Sequence, residues 1–157
     1  MGRVLGRAEL REALAEERRA GRTVVFTNGC FDLLHAGHVR SLREARRLGD
    51  RLVVGVNSDR SVGSLGKGPG RPIFTEDERA EVLAALDMVD YVALFGEDTP
   101  LELIHAVEPD VLVKGGDWKE ADIVGAEFVR RRGGRVERMT YHPGMSTTEV
   151  LRRIRGT

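Results

Sequence analysis

Two histidines three residues apart, His35 and His38, close the stretch FTNGCFDLLHAGH, residues 26–38. On the first turn of a helix that spacing puts both imidazoles on one face, leaning back toward the preceding turn. Val24, Val25 and Phe26 form a short apolar run, Asn28 and Gly29 break it, and a polar, helix-like segment starts at Ala36. The stretch predicts a strand, a turn and a helix start. Unpaired N–H groups and the positive dipole end of a helix favour an anion there, and Gly37 lets a ligand approach the backbone closely. A nucleotide-phosphate site is the chemistry these residues suit best. The same residues also fit a metal site completed by Asp32, or a helix start with solvated histidines.

The rest of the chain must position that turn. At 157 residues it has the length of one ordinary domain, residues 1–157, and a hydrophobic fraction of 41% suffices for a core without disulfides. The formal net charge of +0 leaves no overall basic footprint for nucleic acid. Cys30 is the only cysteine, so an intrachain disulfide is impossible. No apolar run approaches the roughly 20 residues of a membrane span, and the N-terminus lacks a signal-peptide core. A soluble cytoplasmic protein without a membrane partner is expected.

Along the chain, helices and strands alternate. Leu10, Ala13 and Leu14 mark an amphipathic helix over 7–20, stopped by Gly21. The strand before the histidines is followed by a helix over 36–48 and an apolar strand over 52–56. Residues 61–72, with Gly63, Gly66, Gly68, Gly70, Pro69 and Pro72 around Lys67, predict an irregular, mobile loop. Thr75 and Glu78 form a capping box for the next helix, and a strand follows at 91–95. Thr99, Pro100 and Glu102 predict another boxed helix start, then come a strand at 111–113, a turn at GGDW (115–118) and a helix over 123–132. A weak strand at 136–139 and a third box, Ser146 with Glu149, lead into the last helix. This alternation predicts an α/β fold, a doubly wound, Rossmann-like parallel sheet of five strands in the order 3-2-1-4-5. Ligand then binds at the switch between strands one and four, where the histidine turn meets Lys114, Gly115, Gly116 and Asp117.

With Gly29, Phe31, Asp32, His35, Gly37 and His38 in one stretch, and Ser146, Thr147 and Thr148 near the C-terminus, the chain resembles the cytidylyltransferase-type (HxGH) nucleotidyltransferases. The likeness also runs through VGVNSDRSV, the GRP after the glycine loop, EDTP, PDVLVKGGDW and GMSTT, nearly the full chain. Within the group it looks most like the adenylyltransferases that make ADP-heptose. The resemblance implies transfer of AMP from ATP to a heptose 1-phosphate with release of pyrophosphate. Glycerol-3-phosphate cytidylyltransferases carry arginine three residues before the motif glycine, and Tyr141 stands there in this chain, which argues against CTP. Cytidylyl transfer to glycerol 3-phosphate or another small alcohol phosphate stays the alternative. A non-catalytic nucleotide-binding module is the third reading, against which the intact histidine pair speaks.

By resemblance, His35 and His38 donate to the triphosphate, Lys67 closes over the phosphates, and Ser146, Thr147 and Thr148 hold β- and γ-phosphate oxygens. Asn28, Gly29, Phe31, Asp32, Gly37, Lys114, Gly115 and Asp117 would complete the nucleotide site, with Arg79 reaching a substrate phosphate. Each has a plainer reading: a helix cap for Ser146 and Asp117, a turn former for Asp32, a surface ion pair for Arg79, solvation for Lys67 and packing for Trp118. Mg²⁺ is expected as the companion of ATP, with Asp32 or Asp117 within its reach and no protein ligand set named. Similar domains often follow a sugar kinase in one chain. A chain starting at Met1 with no room for one implies a separate kinase partner. Homodimers are common in such families, and the sequence shows no interface.

Overall fold

The computed structural model describes residues 1–116, 119–140 and 142–157. Alternation along the strands builds two cores. Val24 and Phe26, Val53, Tyr91 and Ala93, and Leu112 face one side, while Val25, Leu52 and Val54, Val92, and Val111 and Val113 face the other. Such two-faced burial requires helices on both sides of a parallel sheet. The elements are β1 (Arg3–Val4), α1 (Arg7–Arg19), β2 (Val24–Gly29), α2 (Ala36–Arg46), β3 (Arg51–Asn57), α3 (Asp59–Ser64) and α4 (Glu76–Ala84). Then follow β4 (Tyr91–Phe95), α5 (Leu101–Val107), β5 (Val111–Gly115), α6 (Ala126–Arg131), β6 (Arg135–Met139) and α7 (Thr147–Arg155). Leu10 and Leu14 of α1, Leu103, Ile104 and Val107 of α5, and Ala126 and Val129 of α6 cover the first face. Leu42 and Ala45 of α2 with Ala80, Leu83 and Ala84 of α4 cover the second. Gly55 sits at the sheet centre because a Cβ there would fall 2.9 Å from the Phe26 ring and 3.0 Å from Leu103.

The sheet order is β1-β4-β3-β2-β5-β6, all parallel. The five expected strands are β2 to β6 and keep the order 3-2-1-4-5. The correction is a sixth strand, β1, two residues paired to the far side of β4. So short a segment carries no readable alternation. β2 pairs with β3 from Val24↔Arg51 to Gly29↔Val56, but with β5 only at Val25↔Val111 and Phe26↔Leu112. Beyond Phe26 the two strands part, and the crevice of the switch opens between them.

Four local expectations change. Residues 61–64 are helical, because the Ser58 hydroxyl caps α3 by accepting from the Ser61 N–H at 3.2 Å. The box at Thr99 is absent: α5 begins after Pro100, and the Thr99 hydroxyl reaches only the Leu101 N–H, at 3.4 Å. α6 starts at Ala126, since Gly125 is left-handed at φ 87 and follows a 3₁₀ turn, Glu120–Asp122. At α7 the Ser146 hydroxyl accepts from the Glu149 N–H at 3.1 Å, while the Glu149 carboxylate turns to Arg152 and Arg153 instead of closing a box. The Thr75–Glu78 box is present on both sides.

At the opposite end of the sheet from the crevice, Glu17 joins α1 to two strands. Its carboxylate, 7% exposed, accepts from Tyr91 Oη at 2.7 Å, Arg51 Nε at 2.9 Å and Arg22 Nη1 at 2.6 Å. Burial alone pushes the carboxyl up, but those three donors outweigh it and hold its pKa at about 2. A depressed acid contributes stability that is present above its unfolded value of 4.5 and is lost as pH falls toward 2. Glu17→Gln is expected to cost about 1–3 kcal/mol at pH 7 by urea unfolding. The difference from the parent should shrink between pH 4.5 and pH 2.

Candidate active site

At the mouth of the crevice lies a cavity of about 510 Å³. The ends of β2 supply Thr27, Asn28 and Gly29, and the turn after it Cys30, Phe31 and Asp32. Phe31 is left-handed at φ 49, a costly conformation for an aromatic residue, and its ring lies 5.2 Å from that of His38. His35 caps α2 and His38 stands on its first turn, their rings stacked at 3.8 Å and 25°. The His35 N–H donates to His38 Nδ1 at 3.3 Å. The neutral His38 imidazole thus carries its proton on Nε2. His35 Nδ1 is buried without a hydrogen-bond partner among the described residues. Burial lowers the pKa of both histidines; for His38, His35 and Lys67 push in the same direction, and it falls to about 4. A hydrogen bond to the Leu33 backbone opposes this shift at His38 without reversing it, so both imidazoles line the cavity chiefly in their neutral form at pH 7.

Of the residues singled out in the sequence, Asn28, Gly29, Phe31, Asp32, His35, Gly37, His38, Lys67, Gly115, Ser146, Thr147 and Thr148 line this one cavity. Lys67 arrives on the exposed loop after α3, and Ser146 to Thr148 open α7. The cavity thus sits between two helix starts. Lys114 and Arg79 stand elsewhere. Lys114 is half-buried near Cys30, with its pKa lowered by burial. Arg79, 2% exposed, donates to the carbonyls of Phe74, Cys30 and Asn57 and to Asp59 at 2.7–3.0 Å. It braces the loops instead of facing a substrate phosphate. Asp32 lines the cavity, but its carboxylate accepts from Arg71 Nε and from the N–H groups of Ile73 and Phe74. Burial pushes its carboxyl up and these donors pull it further down. Asp117, Trp118 and Tyr141 lie outside the described residues.

Sequence reasoning missed Ser41, Arg71, Thr140, His142 and Met145, all on the cavity wall. Ser41 was legible, three residues beyond His38 on the same helical face. His142, whose Nε2 is buried and unpartnered among the described residues, follows no pattern that could have been read. Gly37, on the cavity wall, also has a packing reason: a Cβ there would come within 2.9 Å of both the His35 ring and Met145 Cβ, so the missing side chain makes room for these two.

With this geometry in hand, a cytidylyltransferase-like family model matches residues 26–153. The chain belongs to the cytidylyltransferase-like family. It is therefore a nucleotidyltransferase-type enzyme domain. It is 58% identical over 148 residues to the bifunctional protein HldE of Syntrophotalea carbinolica, and 56% identical over 152 residues to that of Trichlorobacter lovleyi. These matches cover 94% and 97% of this chain but only 30% and 31% of those proteins. The domain thus spans about three tenths of the length of these relatives. Among solved structures it resembles the lipopolysaccharide core biosynthesis protein from Thermoplasma volcanium, with TM-score 0.68 and 31% identity, covering 78% of this chain and 99% of that one. Pantoate-beta-alanine ligase from Francisella tularensis shares the fold at TM-score 0.63 and 10% identity, over 99% of this chain and 77% of that one. Among the described residues no helix is long and apolar enough to cross a membrane.

Two outcomes follow for this cytidylyltransferase-like domain. Gly37→Ala should displace His35 and Met145 and lower kcat/KM by about 10- to 100-fold in steady-state kinetics, since misplacing a positioned group by an ångström costs that much. The second concerns pH. Because the His38 pKa is about 4 folded and 6.5 unfolded, the unfolded chain binds more protons in that window, so stability is full above pH 6.5 and falls as pH drops toward 4. The slope from this residue is at most about 1.4 kcal/mol per pH unit. Urea unfolding of His38→Gln between pH 7 and pH 4 should show a shallower decline than the parent.

Proposed function

We propose that the domain transfers AMP from ATP to a heptose 1-phosphate, giving ADP-heptose and pyrophosphate. The observation that carries this reading is the meeting, in one cavity, of a histidine pair at one helix start and the Ser146–Thr148 hydroxyls at another, with Lys67 and Arg71 on the same cavity's wall. The sugar acceptor rests on the resemblance to ADP-heptose-forming enzymes and on the likeness to the HldE proteins and to a lipopolysaccharide core biosynthesis protein.

A phosphate monoester has a second pKa of about 6 and is largely dianionic at neutral pH, so its oxygen attacks without an enzyme base. The new bond forms between that oxygen and the α-phosphorus, and the bond to the bridging oxygen of the β-phosphate breaks. What remains for the protein is alignment and charge stabilisation. His35 and His38 donate to the α-phosphate and the departing pyrophosphate. Being neutral beforehand, they add donors without repelling Lys67 and Arg71. The α7 start holds the β- and γ-oxygens through its N–H groups and hydroxyls. Mg²⁺ bound with the triphosphate would offset its negative charge. Asp32 already accepts three hydrogen bonds, so phosphate oxygens and water would supply most of the cation's ligands. The acceptor itself would come from a sugar kinase, on the same polypeptide or on another.

The deciding assay is pyrophosphate release with ATP, Mg²⁺ and heptose 1-phosphate, run in parallel with CTP. Turnover with ATP well above that with CTP is expected; preference for CTP with glycerol 3-phosphate would replace this reading with the cytidylyl one. In the same assay His38→Ala should lose at least about 100-fold in kcat with its thermal unfolding little changed, and an unaltered rate would remove the role given to His38.

A further inference from the structure

Arg71 and Asp32 form a buried ion pair in the cavity wall, with side chains 11% and 1% exposed. Asp32 Oδ2 accepts from Arg71 Nε, and Oδ1 accepts from the Ile73 N–H at 2.7 Å and the Phe74 N–H at 3.2 Å. Three donors therefore share the carboxylate charge. Among the described residues no hydrogen bond engages the two Nη groups of Arg71. This is the arrangement of an arginine held by its Nε so that its fork can meet a planar or tetrahedral oxyanion with two parallel bonds.

The topology says which oxyanion. The segment carrying Arg71 follows β3 and α3, and α7 follows β6, so the two approach the switch from opposite sides of β2. With the nucleotide phosphates at the α2 and α7 starts, an in-line displacement needs the incoming oxygen on the side away from the leaving pyrophosphate. Arg71 comes in from the β3 flank of β2, away from the β6 flank that leads into α7. We propose that Arg71, positioned by Asp32, binds the phosphate of the acceptor and makes the domain specific for a phosphorylated sugar. This rests on the adenylyl-transfer reading. Asp32 is then a positioning residue, and Arg71 takes the role that the sequence pattern assigned to Arg79.

The test combines direct binding with kinetics. Heptose 1-phosphate is titrated calorimetrically into the parent protein, Arg71→Gln, Arg71→Lys and Asp32→Asn, each with a non-hydrolysable ATP analogue, and KM is measured for both substrates. Arg71→Gln should weaken acceptor binding and raise acceptor KM about 30-fold or more, with ATP KM changed less than about 3-fold. Arg71→Lys should recover part of this, because it keeps the charge and loses the fork, and it decides the question if Arg71→Gln fails to fold. Asp32→Asn should shift acceptor KM in the same direction by less. Unchanged acceptor binding in the Arg71 variants, or equal losses for ATP and acceptor, would overturn the proposal. A parent that binds heptose 1-phosphate through Arg71 yet releases no pyrophosphate would sink adenylyl transfer and keep this site; turnover with Arg71-independent acceptor binding would do the reverse.

Discussion

The guanidinium of Arg79, on α4, is a buried cation at the mouth of a parallel sheet. Moving such a charge out of water costs several kcal/mol unless its donors are met. Here they are met by the carbonyls of Cys30, just after β2, of Asn57, at the end of β3, and of Phe74, and by the Asp59 carboxylate at the start of α3. Carbonyls at the C-terminal ends of parallel strands have run out of ladder partners, so one cation satisfies acceptors that burial would otherwise penalise. In doing so it fixes the exits of β2 and β3 relative to each other. The left-handed Phe31 and the stacked histidines depend on that fixed exit.

Phe74 shows how the brace reaches the chemistry. Its carbonyl accepts from Arg79, while its N–H donates to Asp32. Two buried charges of opposite sign thus hold the two peptide groups flanking the Phe74 Cα, and Asp32 carries the constraint on to Arg71 in the cavity wall. The histidines follow a different electrostatic logic. Burial favours the neutral form of both imidazoles, so the site holds its positive charge on Lys67, Arg71 and the helix starts; in the proposed reaction a triphosphate would meet neutral donors where charge develops.

The strand order around the switch could be read from the sequence because β2 to β5 are long enough for apolar runs and their connections are short and right-handed. β1 could not, since its two residues gain strand geometry only by pairing with β4. That His35, His38 and Ser146 to Thr148 stand at helix starts was legible because spacing and capping are local. The place of Arg79 was not, because whether a cation faces ligand or braces carbonyls depends on contacts between residues some twenty to fifty positions apart, as with Cys30 and Asn57. Gly37 was read as a place where a ligand nears the backbone; the close packing of His35 and Met145 against it joins residues more than a hundred positions apart, which spacing does not encode.

The two sides of the cavity differ in stiffness, and the difference matches their proposed work. On the Arg71 side, hydrogen bonds run without a break from Arg71 to Asp32, the Phe74 backbone and Arg79, and all three charged side chains are largely buried. On the nucleotide side, α7 buries no residue, and the segment before it is tied by the Thr140 hydroxyl to Glu44 at 3.1 Å and by Arg40 to the Met145 sulfur at 3.5 Å. Few buried contacts mean a low local opening free energy, so the α7 arm yields before the Arg71 arm does. In the proposed reaction a triphosphate, large and highly charged, would meet an arm that can adjust to it. The acceptor oxygen has a narrower task, arriving in line with the leaving group within a fraction of an ångström, and a rigid anchor serves that task by removing orientational freedom before the substrate enters.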